Sequence, residues 1–151
     1  LHSRWPGQPE TGETRTLTTF LYEDDRRVVI DVNHHNWSED AYARFRFVGA
    51  EGIVEGTLGL LYDYPTGRVD TLRYASRAAP HEWHEAPLST WWIPDAFVGP
   101  MASLMAAMQT GGEPLTSGRD NLGTLQTVFA AYRSASEGRV VPLAEISSAT
   151  S

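Results

Sequence analysis

The chain contains no cysteine, and all twelve of its basic residues are arginine, so it contains no lysine either. The first absence excludes disulfides and thiolate metal sites. The second excludes any mechanism that needs a lysine amine within this chain. Positive charge is scarce overall: 12 basic residues stand against 19 acidic ones, a formal charge of −7. Nucleic-acid binders concentrate positive charge on one face, so that class of partner is set aside. No run approaches the roughly 20 apolar residues a membrane span requires. No charged-then-apolar leader is present, and the expected location is a reducing cytoplasm. Glycines are plentiful, yet no Gly-x-Gly-x-x-Gly follows a strand and opens a helix, so a dinucleotide's pyrophosphate has no backbone cradle. No Gly-x-Ser-x-Gly elbow marks a hydrolase. The acidic run Glu23-Asp24-Asp25 reads as a solvated turn rather than a pair of catalytic carboxylates.

What is present suits one globular domain. The 151 residues are 41% hydrophobic, and a domain of this length can bury about two thirds of its unfolded surface. Residues 1–14 are rich in turn formers. Strands are expected at residues 15–22, 26–37, 42–48, 52–62 and 68–76, with a short sixth at 83–88. Val28, Ile30 and Val32 alternate with Val29, Asp31, Asn33 and His35, the period of two of a strand with one buried face. Phe45 and Phe47 likewise point one way, and Arg44 and Arg46 the other. The links between strands are too short for parallel crossovers, so the sheet should be antiparallel.

Two helices follow. Phe97, Met101, Leu104, Met105 and Met108 recur at helical spacing after Asp95, a candidate cap, and Gly111-Gly112 ends the run. Ser117, with Asp120 three residues on, opens a second helix whose stripe is Leu122, Leu125, Val128, Phe129 and Tyr132, and Gly138 closes it. Both stripes are expected to be buried. Strands first and helices afterwards predict an α+β fold: an open-faced, predominantly antiparallel β-sheet with two C-terminal α-helices packed on one face. Residues 1–146 form the expected domain, and residues 147–151 a disordered tail.

The run from Trp92 to Leu143 resembles the C-terminal end of the Gfo/Idh/MocA family of NAD(P)-dependent oxidoreductases. Trp92, Pro94 and Phe97 match its Trp-x-Pro-x-x-Phe-like entry to a helix, and Gly111 and Pro114 its turn. Asp120, Leu122, Thr124 and Leu125 match the next helix. Ala130, Tyr132, Ser134, Ala135, Glu137, Gly138, Arg139, Val141 and Leu143 match its exit. Gly123 departs from the pattern and loosens a helix interior by roughly 1 kcal/mol relative to Ala. The resemblance implies a parent enzyme that moves a hydride between NAD or NADP and a sugar, polyol or related secondary alcohol. It also implies an N-terminal Rossmann domain and a Glu-Lys-Pro segment, neither of which is in this sequence, and an Asp-x-x-x-His pair downstream of them. A chain that opens on Leu1 rather than Met is expected to be part of a longer one. This chain is therefore expected to bind no cofactor and to carry no catalytic residue alone.

Candidate functional residues fall into three groups. Asn33, His35 and Trp37 suit hydroxyl groups and a sugar face. Trp91 and Trp92 precede the first helix, one expected to pack under it and the other to face the missing Rossmann half. Asp31, Arg44 and Arg46 belong to the uncovered sheet face, which the resemblance implies is a homodimer or higher oligomer interface; the other reading is a solvated face. No metal site is expected. His34 and His35 are adjacent on a strand and point to opposite faces. His81 and His84 stand three apart in an extended segment bracketed by Pro80 and Pro87, and again face opposite ways. The remaining readings are a stand-alone carbohydrate-binding or scaffold domain, and a small metal enzyme built on His81 and His84.

Overall fold

The computed structural model describes residues 2–3, 14–33, 43–61 and 63–147. Its contacts divide the chain into two units, one of residues 1–37 and 116–151 and the other of residues 38–115. Both are antiparallel, and the α+β class stands. The described strands form two sheets rather than one.

In the first unit β1 (His2–Ser3), β2 (Arg15–Leu21) and β3 (Arg27–Asn33) lie in that order. The β2–β3 hairpin closes where the Tyr22 N–H donates to the Arg26 carbonyl at 3.0 Å, with Asp25 left-handed (φ 63°) at the turn. Asp tolerates that conformation better than most residues. Register pairs Thr16 with Val32, Thr18 with Ile30 and Phe20 with Val28. These residues share one face, and Leu17, Val29, Asp31 and Asn33 share the other. Helix α2 (Gly118–Glu137) borders the first face. Thr18, Phe20 and Ile30 enclose with Val128, Ala131 and Tyr132 an apolar cleft of about 260 Å³.

The second unit holds β4 (Ala43–Val48), β5 (Gly52–Leu58), β6 (Thr71–Ser76) and β7 (His84–Glu85) in chain order. A 3-10 turn, Asp95–Phe97, leads into α1 (Val98–Thr110). Where the residues are described the predicted strand limits hold within a few residues, and residues 34–37 of the expected second strand lie outside them. Glycine punctuates the helices as expected: Gly111 (φ 70°) and Gly138 (φ 66°) are left-handed C-caps. Ser117 caps α2, its Oγ accepting from the Asp120 N–H at 3.0 Å.

Four expectations change. Asp95 does not cap α1, because its carboxylate is engaged elsewhere. The helix stripes are exposed rather than buried: Met108 is 77% exposed and Phe129 57%. Each stripe offers more apolar surface than its own unit covers, and the buried apolar residues are small ones, Ala75, Ala130 and Val141. Residues 1–14 include a short strand, β1. A four-residue helix, α3 (Ala144–Ser147), reaches the first residue of the expected tail, and residues 148–151 lie outside the described residues.

The α2–α3 corner is held by charge. Arg139 reaches Glu137 at 2.6 Å through Nε and Glu145 at 2.7 Å through a terminal nitrogen, and Arg133 also bonds Glu137. The Arg133 hydrogen bond, with Arg139 beside it, holds the Glu137 carboxyl below its ordinary value, and Arg139 does the same for Glu145.

Candidate functional site

A cleft of about 320 Å³ opens within the second unit. Sheet residues Phe45, Leu58 and Leu72 and the indoles of Trp91 and Trp92 give it an apolar lining. Asp70, Thr71, Thr90 and Asp95 supply the polar lining. The combination arises because β6 begins at Thr71, directly after Asp70, while the chain between β7 and α1 passes beside it.

Asp70, Thr71 and Asp95 are each held by the backbone or by a neighbour. Asp70 is buried, and its Oδ1 accepts from the Gly59 N–H at 2.7 Å. A buried carboxylate needs such a donor, since an unpaired one would cost several kcal/mol. The Thr71 hydroxyl sits 2.7 Å from that of its cross-strand partner Thr57. Asp95 Oδ2 accepts from the Trp91 N–H at 2.8 Å, and the Ala96 N–H donates to the Trp92 carbonyl at 2.9 Å. Residues 91–96 are thus stitched into a closed turn that contains the cis Ile93–Pro94 peptide.

Trp91 has a seat of its own. Gly67 is left-handed (φ 77°), and a Cβ there would lie 2.7 Å from Trp91 Cε3. Only glycine lets the indole ring lie against the backbone at that point.

The structure brings Trp91 and Trp92 into one cleft. Both are 40% exposed. Asn33 ends β3 opposite Arg15, in the first unit. His35 and Trp37 lie outside the described residues. Asp31 pairs in register with Leu17, so it does not share a sheet with Arg44 and Arg46.

Arg44 and Arg46 stand on the second unit's sheet, beside a surface depression of about 460 Å³. Register makes a row of Arg46, Glu55, Arg73 and Glu85 across all four strands. Arg46 Nε is 3.6 Å from Glu55, and Arg73 bonds the same carboxylate. The Arg73 guanidinium also lies over the Trp83 ring, 4.5 Å from its centroid. The opposite face of this sheet carries Phe47, Val54, Tyr74 and His84 in register, with the His84 and Tyr74 rings 5.3 Å apart.

Among the described residues no three metal-ligating side chains come together, and no helix is long and apolar enough to cross a membrane. Every described strand pairing is antiparallel. The described residues therefore offer no strand–glycine loop–helix unit that fits a dinucleotide.

Sequence reasoning missed Asp70, Thr71, Thr90 and Asp95. Asp95 was legible only as a cap, because a helix-start position and a loop-tying carboxylate look alike in sequence. Asp70 has no local signal, since its partner Gly59 is remote along the chain.

No family model and no solved structure matches the chain. Over 135 residues, 87% of its length, it is 41% identical to the D-apiose dehydrogenase of Paraburkholderia graminis. The chain spans 35% of that relative's length. Over that stretch the chain is related to a dehydrogenase, in keeping with the resemblance of residues 92–143 to the Gfo/Idh/MocA oxidoreductases.

Proposed function

We propose that this chain is the C-terminal, substrate-side and dimerisation domain of an NAD(P)-dependent oxidoreductase acting on a sugar, polyol or related secondary alcohol. The observation that carries the proposal is the 41% identity to a sugar dehydrogenase over a segment that spans 35% of it. The missing two thirds would supply the Rossmann domain, the lysine and the nicotinamide, either NAD or NADP. No chemical step is assigned to the described residues. Their part is to shape the sugar side and to join two copies. The Arg46–Glu55–Arg73–Glu85 row favours such a join, because alternating charges can be complementary to themselves about a two-fold axis. D-apiose is the first sugar to try.

Fluorescence titration of the 151-residue chain with NADH and NADPH tests the proposal. No saturable enhancement is expected with either, whereas saturable binding would refute it. The second reading, a stand-alone carbohydrate-binding domain, is favoured by one observation: the tryptophan cleft is complete within a single unit. It requires sugar binding together with a reading frame that encodes no dinucleotide domain.

A further inference from the structure

We infer that the Trp91–Trp92 cleft is a binding site for a neutral, hydroxyl-rich small molecule of pentose size, and that it rejects the phosphorylated and acid forms of the same sugars. The inference rests on the sugar-side reading above and goes beyond it in naming the site, the ligand's charge and the residues that set it.

Three properties converge. The first is size: about 320 Å³ lies at the small end of the roughly 300–1,000 Å³ typical of small-molecule sites, where a pentose fits and a disaccharide is crowded. The second is the division of the lining. A sugar has C–H patches and hydroxyl edges, and the cleft offers indoles and sheet apolar residues beside carboxylates and threonine hydroxyls. The third is the state of the two carboxylates. Asp70 and Asp95 each spend one oxygen on a backbone N–H, at 2.7 and 2.8 Å, which fixes the carboxyl in place. An ionised carboxylate only accepts, and it has about four lone-pair sites. A ligand beside this pair must therefore bring O–H donors. Two carboxyl groups in one small cleft disfavour a phosphate or a carboxylate brought by the ligand.

The test is a tryptophan-fluorescence and saturation-transfer NMR titration of the chain. The neutral probes are D-apiose, D-xylose and xylitol, and the anionic ones D-ribose 5-phosphate and D-xylonate. At least one neutral probe should bind saturably, with both anions at least about tenfold weaker. W92A should weaken the neutral ligand by roughly tenfold. D70N and D95N keep an amide oxygen for the backbone contact but lose the charge, so they should narrow the gap between neutral and anionic probes. A purely structural role would not move that ratio. R77A, outside the cleft, serves as control and should bind as the wild type does. Circular dichroism checks each variant's fold, and the two Asn variants decide the matter if W92A unfolds. The inference is overturned if no neutral probe binds, if the anions bind equally well, or if folded variants leave both affinity and ratio unchanged. A saturable NADH response would sink the oxidoreductase-domain reading instead and leave this result standing.

Discussion

Gly67 and Gly111 permit a matched experiment on what shapes the cleft. Both lie in the second unit and both are left-handed, at φ 77° and φ 70°. Placing alanine at either forces a side chain into that conformation, at about 1–2 kcal/mol. The surroundings differ. A Cβ at Gly111 meets nothing within 4 Å, whereas one at Gly67 would stand 2.7 Å from Trp91 Cε3 and 2.9 Å from Cζ3. Carbon atoms in contact prefer about 3.5–4.0 Å, so the indole must retreat by about 1 Å. Overpacking of this kind adds about 1–3 kcal/mol. Urea denaturation should therefore place G111A about 1–2 kcal/mol below the wild type, with G67A lower still. The indole N–H resonance of Trp91, assigned through W91F, should shift in G67A and stay put in G111A. In a W91A background the extra cost of G67A should vanish, leaving it equal to G111A. Equal losses for both glycine variants in the parent chain, with an unmoved Trp91 resonance, would refute the idea that Gly67 seats the tryptophan.

Two further outcomes follow from local geometry. S117A removes the oxygen that accepts from the Asp120 N–H and should destabilise α2 by about 1 kcal/mol, read as lost helicity and a lower urea midpoint, with S117D recovering most of it. The corner formed by Arg133, Glu137, Arg139 and Glu145 should loosen in acid. Folded Glu137 and Glu145 have carboxyl values lowered from an ordinary 4.5, so their contribution is complete above that value and is lost as pH falls below it. Amide protection factors at Ser134–Ile146, followed from about pH 6 to about pH 3, should fall before those in β4–β6 do; protection lost everywhere at once would contradict it.

The parts of the structure legible in sequence were those decided by neighbours along the chain. Ser117 caps its helix through a residue three positions away, Gly111 and Gly138 stop theirs by a single left-handed residue, and Phe45 and Arg44 alternate because a strand is pleated. Long-range pairing was not legible. Asp31 and Arg44 share the same alternation, and nothing local says that they belong to different sheets. The helix stripes were read correctly as apolar and wrongly as buried, since periodicity reports which side of a helix seeks cover, not whether this chain provides it. At the candidate site the two tryptophans were legible as loop aromatics ahead of the first helix. Asp70 and Asp95 were not, because each acquires its role from a backbone amide that only folding brings near.

The second unit's four-stranded sheet has two sides of opposite temperament. One bears arginine and glutamate in alternation, the other Phe47, Val54, Tyr74 and His84. Added sodium chloride shortens the reach of the first side's charges, so any assembly made through it should come apart as ionic strength rises. Sulfate strengthens the burial of apolar surface, so an assembly made through the second side should tighten instead. Sedimentation in two buffers would thus separate the two surfaces as routes to self-association.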